Sequence, residues 1–393
     1  MSDKIYLDHA ATTPLDPLVL EAMRPYVETE FANPSSVYGV ARTTRLAVDA
    51  ARDTIADILG AKPTEIIFTS GGTEGDNLAV QGVLRANGAS GHWITTNIEH
   101  DAILSQVTAL KRQGYDCTIV PAGKKGIVQA NEVLAAITDE TVLVSVMMAN
   151  NEIGTIQPVA DIAACIAQIR QGREARGIKR PLYLHTDACQ AAGYLSLHVA
   201  RLGVDLMTIN GSKIYGPKGV GVLYVRHGVE LEPIMYGGGQ ERGRRSGTEN
   251  VAGAVGIATA LKLVMQHRET ESHRLANLRD TLAKGLQETL PGVIINGHAK
   301  HRLPNNVNVT IPGADGEALV LYLDNAGIMA STGSACSTGS LDPSHVLLAI
   351  GCSREQAQQS LRLTLGRSTD QAAIDRVIEV LPGIVARLRE IGR

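Results

Sequence analysis

The chain has 393 residues, 44% of them hydrophobic and 20% charged, with 37 basic against 40 acidic side chains and a formal net charge of −3. That balance excludes a mostly disordered chain and offers no polybasic face for nucleic acid. Two Phe, one Trp and 10 Tyr leave an aliphatic core and too few rings for a base-stacking surface. From the N-terminus, the first 14 residues carry Asp3, Lys4, Asp8 and His9 and lack the apolar stretch of a secretory leader. Apolar runs at 66–69, 93–96, 117–120, 142–148, 182–185, 206–209 and 220–225 predict short buried strands. Amphipathic stretches at 43–59, 77–87, 102–113 and 159–170 lie between most of them, so the pattern predicts an α/β chain with a mainly parallel sheet covered on both faces. The basic stretch 171–180 reads as a solvated loop. After residue 250 two long helices, 251–267 and 271–290, lead into strands at 307–311, 318–323 and 361–365 and a final helix over 370–391. The longest greasy stretch, 252–265, is broken by Lys262 and too short to span a bilayer, so no membrane partner is expected. The change of pattern predicts a large domain over 13–260 and a smaller α+β domain built from 1–12 and 261–393.

In an open parallel sheet, ligands bind at the carboxyl ends of the strands. Polar and glycine residues recur there: Ser70-Gly71-Gly72-Thr73-Glu74, Asn97 to His100, Asn150-Asn151-Glu152, His185 to Gln190, and Asn210-Gly211-Ser212-Lys213. Small residues between the first strand and its helix let backbone N–H groups close on an anion, although a plain turn with Thr73 as helix cap would read the same. Asp187 ends an apolar strand, where a buried carboxylate needs either a cation or a local turn to cap. Lys213 follows another strand, and an amine facing a cofactor pocket can form a Schiff base. An anion cup, a buried carboxylate and a strand-end lysine together meet the needs of pyridoxal 5'-phosphate for its phosphate, its ring nitrogen and its aldehyde.

Thr69-Ser-Gly-Gly-Thr-Glu74, Asn150-Asn-Glu-Ile-Gly154, Thr186-Asp-Ala-Cys-Gln190, Lys213-Ile-Tyr-Gly-Pro-Lys-Gly219 and Arg245-Ser-Gly-Thr248 resemble motifs of the cysteine desulfurases. The opening Tyr6-Leu-Asp-His-Ala-Ala-Thr-Thr-Pro14 and Gly333-Ser-Ala-Cys-Ser337 do too, so the resemblance runs through the whole chain in order. It is to the NifS/IscS-like class of fold-type-I pyridoxal-phosphate enzymes. It implies Lys213 as the Schiff-base lysine, Asp187 as partner of the ring nitrogen, and His100 stacked on the ring and moving protons. Gln190 and Asn151 would bond the ring oxygen, with Asn150 the weaker candidate, while Gly72 and Thr73 would hold the phosphate. Thr248 would reach the phosphate of a neighbouring subunit, which implies a homodimer. Arg362 would clamp the carboxylate of L-cysteine, a task suited to a guanidinium fork, with Asn33 assisting.

Cys336 lies in Ser331-Thr-Gly-Ser-Ala-Cys-Ser-Thr-Gly-Ser340, a run of small polar residues that predicts a mobile loop able to expose a thiolate. The remaining cysteines, Cys117, Cys165, Cys189 and Cys352, fall in expected strands or helices, and none of the five shows a metal-binding spacing, so no metal is expected. An odd, scattered set fits a reducing, cytoplasmic compartment. The expected reaction frees Lys213 to remove the Cα proton of L-cysteine and lets Cys336 take the sulfur as a persulfide, leaving L-alanine. The sulfur would go to an acceptor protein, a cluster scaffold or a sulfur carrier, for iron-sulfur cluster assembly or other thiolation. Two departures stand out. Where the family usually has Ser-x-His before the lysine, this chain has Asn210-Gly211-Ser212, which predicts an altered phosphate grip and weaker cofactor retention. The chain also stops at Arg393 without the tail that housekeeping members use to dock the scaffold. A selenocysteine lyase, an aminotransferase and a catalytically silent scaffold share parts of this pattern. An aminotransferase gives no role to Cys336, and a silent scaffold has no use for Lys213, Asp187, His100, Cys336 and Arg362 together.

Overall fold

The computed structural model describes residues 4–332 and 342–391. The chain opens with β1 (Ile5–Tyr6), α1 (Pro17–Glu28) and α2 (Gly39–Leu59). Strands and helices then alternate: β2 (Ile66–Thr69), α3 (Gly72–Ala86), β3 (Gly91–Thr96), α4 (Asp101–Lys111), β4 (Tyr115–Val120), α5 (Ala130–Ala136), β5 (Thr141–Ser145), α6 (Val159–Ala175), β6 (Tyr183–Asp187), α7 (Val199–Leu202), β7 (Leu206–Asn210) and β8 (Gly221–Val225). Beyond them come α8 (Val251–Gln266), α9 (Arg268–Thr289), β9 (Ile294–Ile295), β10 (Asn306–Thr310), α10 (Gly316–Asn325), β11 (Ile328–Met329), α11 (His345–Ala349), α12 (Arg354–Gln358), β12 (Ser360–Thr364) and α13 (Gln371–Ile391).

The central sheet has the order β2-β8-β7-β6-β5-β3-β4, and β8 alone runs against the rest. Strands β5, β6 and β8 are buried at every residue, because helices cover both faces. The two-residue period of a strand divides their side chains between two cores. Ile94, Val144, Leu184, Met207 and Val222 pack on one face with residues of α2, α6 and α8. Trp93, Leu143, Tyr183, Leu206 and Leu223 pack on the other with α3 and α4. A third core joins Leu7 to α9, β10, α10, β12 and α13, around a three-stranded antiparallel sheet of order β12-β10-β9. No helix among the described residues is long and apolar enough to cross a membrane.

Two expectations are corrected. The apolar run 318–323 is helical, part of α10, not a strand: Asp315 caps the helix by accepting from Ala318 N at 2.9 Å, and Leu319 and Leu323 bury one turn apart. The basic stretch 171–180 is not simply solvated either. Its first half is the last turn of α6, and Arg173, 2% exposed, donates to the carbonyls of Thr141, Arg180 and Pro181.

Candidate functional site

Because β2, β3, β5, β6 and β7 all point the same way, their carboxyl ends deliver side chains to one edge of the sheet. Asp187 is the last residue of β6, and its register partner Thr208 in the neighbouring β7 lies two residues before Asn210. Register therefore sets Asp187 beside the turn that carries Asn210, Ser212 and Lys213.

At the end of β2 the chain turns through Gly71, at φ 153°, directly into α3. No side chain caps that helix, so the N–H groups of its first turn, at Gly72, Thr73 and Glu74, are presented to an anion. The helix begins before Thr73, so Thr73 is an exposed first-turn residue rather than the cap. Gly72 is needed for packing: a Cβ there would come 2.8 Å from Cys189 Sγ and 3.5 Å from Asn210 Nδ2. Glu74 accepts from Ser70 N at 2.7 Å and from Arg245 Nε at 2.8 Å, which ties the Arg245–Thr248 loop to the same helix start. Burial alone would raise the Glu74 carboxyl, yet the hydrogen bonds from Arg245 and Ser70 hold it below its usual value. Thr248 is exposed on that loop, just before α8.

Asp187 is 8% exposed, and its Oδ1 accepts from Cys189 N at 2.8 Å. It thus makes the local turn contact expected of a strand-end Asp as well as facing the site. Behind it lie His185 and Asp76, both buried, with His185 Nε2 3.6 Å from Asp76 Oδ1. Burial pushes His185 down to about 4 and, together with the Asp187 charge, raises Asp76 well above the usual range. At neutral pH His185 is therefore uncharged and has no counter-charge to offer Asp187. A carboxylate so placed suits a cationic ring nitrogen.

Lys213 Nζ donates to the carbonyls of Ala10 at 2.9 Å and Ala11 at 2.6 Å, and Gln190 Nε2 donates to the same Ala10 carbonyl at 3.0 Å. Two residues on, Tyr215 holds a left-handed φ of 61°, unusual for a bulky residue. It is fixed by Thr13 Oγ1 accepting from its N–H at 2.7 Å, by Arg367 N donating to its hydroxyl at 2.8 Å, and by the Arg367 guanidinium 4.3 Å over its ring. The strained turn thereby sets the direction in which Lys213 leaves the backbone. Ser212 donates its hydroxyl to Asn210 Oδ1 at 3.1 Å, leaving the Asn210 amide as the donor near Gly72.

His100 caps α4: its Nδ1 accepts from Ala102 N at 3.0 Å, which fixes the ring proton on Nε2. Asn150 is fully buried and spent on structure, since its Nδ2 donates to Ile98 O and its Oδ1 accepts from the N–H groups of Glu152 and Ile153. That leaves Asn151, half-buried, as the asparagine able to face a ligand. The Asn151 carbonyl accepts from Arg362 Nη1 at 3.1 Å, and Arg362 Nη2 lies 2.8 Å from Asp8 Oδ1. Asn33 is exposed, and its Oδ1 accepts from Ser35 N within its own turn. Cys336 lies outside the described residues.

The residues around this edge fit pyridoxal phosphate: open N–H groups at the start of α3, a buried strand-end carboxylate, and a lysine amine in the turn that follows the adjacent strand. Sequence reasoning quoted Asp8, Glu99 and His185 within strand-end or opening motifs without giving them a role, and missed Asp76. Glu99 is fully buried, with Oε1 accepting from Thr96 Oγ1 and Met147 N, and burial pushes it up to about 8. Its signal in the sequence was only its place beside His100 at the end of the strand.

The class-V aminotransferase family model matches residues 5–377. A cysteine desulfurase IscS of Clostridium botulinum is 46% identical over 394 aligned positions, covering 100% of this chain and 96% of that protein. A solved structure titled NifS-like protein superposes with a TM-score of 0.89 at 33% identity, covering 98% of this chain and 100% of the other. Another, titled SspA in complex with cysteine, gives a TM-score of 0.80 at 35% identity over 92% of this chain and 98% of that one.

Proposed function

This chain belongs to the class-V aminotransferase family, and from that premise we propose that the edge formed by β2, β3, β6 and β7 is where L-cysteine gives up its sulfur. The protein is a pyridoxal-phosphate enzyme, a cysteine desulfurase, acting on L-cysteine and passing sulfur to an acceptor. The observation that carries the site assignment is the convergence of Gly72, His100, Asp187 and Lys213 on one sheet edge.

The bound cofactor supplies an electron sink for the pair left when the substrate's Cα proton departs. Gly72, Thr73 and the Asn210 amide hold its phosphate, and Ser212 lends the backbone turn behind them. Asp187 would hold the proton on the ring nitrogen, while Gln190 and Asn151 would bond the ring oxygen. Lys213 would hold the cofactor's aldehyde, and its Nζ would be the base that takes the substrate's Cα proton. His100 would lie against the ring and move a proton at Nε2. Arg362 binds the substrate carboxylate, with Asn33 as a further contact. Cys336 attacks the substrate sulfur as thiolate; the C–S bond breaks, the electron pair stays with the substrate carbon, and protonation there gives L-alanine and a Cys336 persulfide.

The active form is a homodimer in which Thr248 of the partner subunit reaches the phosphate. Support comes from the exposure of Thr248 and of Phe31, Val37 and Val40, which precede and open α2 beside α8. The chain divides into a large domain, 13–260, and a small one, 1–12 with 261–393; the separate core of Leu7, α9, β10 and α13 supports that division. The sulfur goes to a cluster scaffold or a sulfur-carrier protein in the cytoplasm, where free thiols such as Cys117, Cys165, Cys189 and Cys352 persist.

The test is a visible spectrum of purified protein before and after L-cysteine, with alanine assayed alongside. A yellow band that shifts, with alanine formed, is expected. Cys336→Ser should keep the band and lose persulfide and alanine; alanine at the normal rate from that variant would remove Cys336 from the mechanism.

A further inference from the structure

The opening motif Tyr6-Leu-Asp-His-Ala-Ala-Thr-Thr-Pro14 has no task in the mechanism above, yet its backbone runs through the site. Strand β1 pairs with β11, and the chain continues along β12: Thr364 N donates to Leu7 O at 2.7 Å, His9 N to Thr364 O at 3.3 Å, and Ala10 N to Thr364 Oγ1 at 2.9 Å. Arg362 is two residues before Thr364 on β12, so the same pairing brings Asp8 to Arg362. The Asp8 Oδ1 to Arg362 Nη2 distance is 2.8 Å, and the Arg362 side chain is 3% exposed against 19% for Asp8. Beyond Asp8, the carbonyls of Ala10 and Ala11 accept from Lys213. Three of the four residues 8–11 therefore meet the two cations, Asp8 on Arg362 and Ala10 and Ala11 on Lys213.

We propose that Asp8 is a specificity-determining residue of the cysteine site, sharing the Arg362 guanidinium with the substrate carboxylate and restricting that subsite to amino acids with one anionic group. The proposal rests on Arg362 as the carboxylate binder. A guanidinium carries five N–H donors in a rigid fork, so it can bond Asp8, the Asn151 carbonyl and an incoming carboxylate together. Its charge is another matter. The Asp8 carboxylate already offsets the Arg362 charge, so a first substrate carboxylate joins an anion that is in place beside the guanidinium. A second anionic group on the substrate would add like-charge repulsion in a partly buried setting, where screening is weak. L-cysteine has one carboxylate and a neutral thiol; L-aspartate and cysteine sulfinate each carry a second anion. Asp8 also gives the buried Arg362 an anionic partner at 2.8 Å, and so helps to set its orientation.

Charge and orientation are separable. Asp8→Asn keeps an oxygen acceptor for Arg362 but removes the negative charge, whereas Asp8→Ala removes both. With full-length, cofactor-loaded enzyme, Asp8→Asn should lower KM for L-cysteine about two- to fivefold, with a smaller change in kcat. Titrating the visible band with L-alanine should give a lower Kd of similar size, and with L-aspartate a larger gain. Asp8→Ala should raise KM and weaken both titrations while the band itself stays. A rise or no change in KM for Asp8→Asn would overturn the proposal, as would an L-aspartate gain no greater than that of L-alanine. Arg362→Gln separates the two layers of reasoning: it should abolish the L-alanine response. A retained response would remove Arg362 as carboxylate binder, and the role of Asp8 with it.

Discussion

Gly72→Ala tests the phosphate cup directly. The added Cβ would meet Cys189 Sγ at 2.8 Å, against an ordinary contact of at least 3.4 Å, so one or both groups must retreat by about 0.6 Å. Cys189 is 7% exposed, and its N–H is held by Asp187 Oδ1. Overpacking of this kind costs about 1–3 kcal/mol. The helix itself gains up to about 1 kcal/mol from Ala over Gly, so the unliganded fold should change little, and the strain should appear as displacement of the first turn of α3 and of Asn210. If it falls wholly on cofactor binding, the loss is roughly five- to 150-fold in Kd. The assay is titration of cofactor-stripped protein with pyridoxal phosphate, followed by the visible band. Cys189→Ala in the same chain removes the sulfur that the new methyl meets and should restore most of the affinity, a coupling that a double-mutant cycle reads out. Gly72→Ala binding as tightly as the parent, or a double variant no better than Gly72→Ala alone, would refute the close-approach reasoning.

Three further outcomes are expected. Glu99 is buried and pushed up to about 8, so the folded chain holds a proton that the unfolded chain releases near its usual 4.5. Stability attributable to Glu99 is then fully present below about pH 4.5 and falls as pH rises toward 8, by at most about 1.4 kcal/mol per unit. Glu99→Gln should flatten that part of the curve in denaturant unfolding at pH 5.5, 7 and 8.5; equal slopes in the two proteins would count against it. Arg52 and Glu241 form a buried two-point pair, both contacts 2.8 Å, with Arg52 also donating to Ile66 O and Glu241 accepting from Phe68 N. Arg52→Ala leaves that carboxylate buried and should cost about 3–5 kcal/mol in chemical denaturation. Ser212→His should slow cofactor loss during dialysis, since the Ser212 hydroxyl is directed to Asn210 and an imidazole reaches farther; an unchanged rate would place the phosphate grip elsewhere.

Much of this molecule was legible in its sequence because local rules and tertiary need agree. Strands such as β5 and β6 are continuous apolar runs because both faces are covered, and the polar residues after them gather at one edge because parallel strands end together. Gly72, Asp187 and Lys213 could be singled out from type and position alone, and the family resemblance attached roles to them. The apolar run 318–323 was read with the wrong period, because a short stretch of Leu and Val fits either state until Asp315 is seen to cap it.

Other features exist only in three dimensions. Asp8 and Arg362 are 354 positions apart, and no local pattern announces their meeting; it follows from Thr364 N donating to Leu7 O and Thr364 O accepting from His9 N. Asp76 and His185 look like ordinary polar residues until α3 packs against β6 and β7 and strips their water, which moves their proton affinities in opposite directions. Which side chains stand at the strand ends could be read along the chain, because strand period and the turns that close a strand are local properties. Tertiary structure decided which of them are paired, buried or charged, because desolvation and Coulomb energy depend on distance in space and not on distance along the chain.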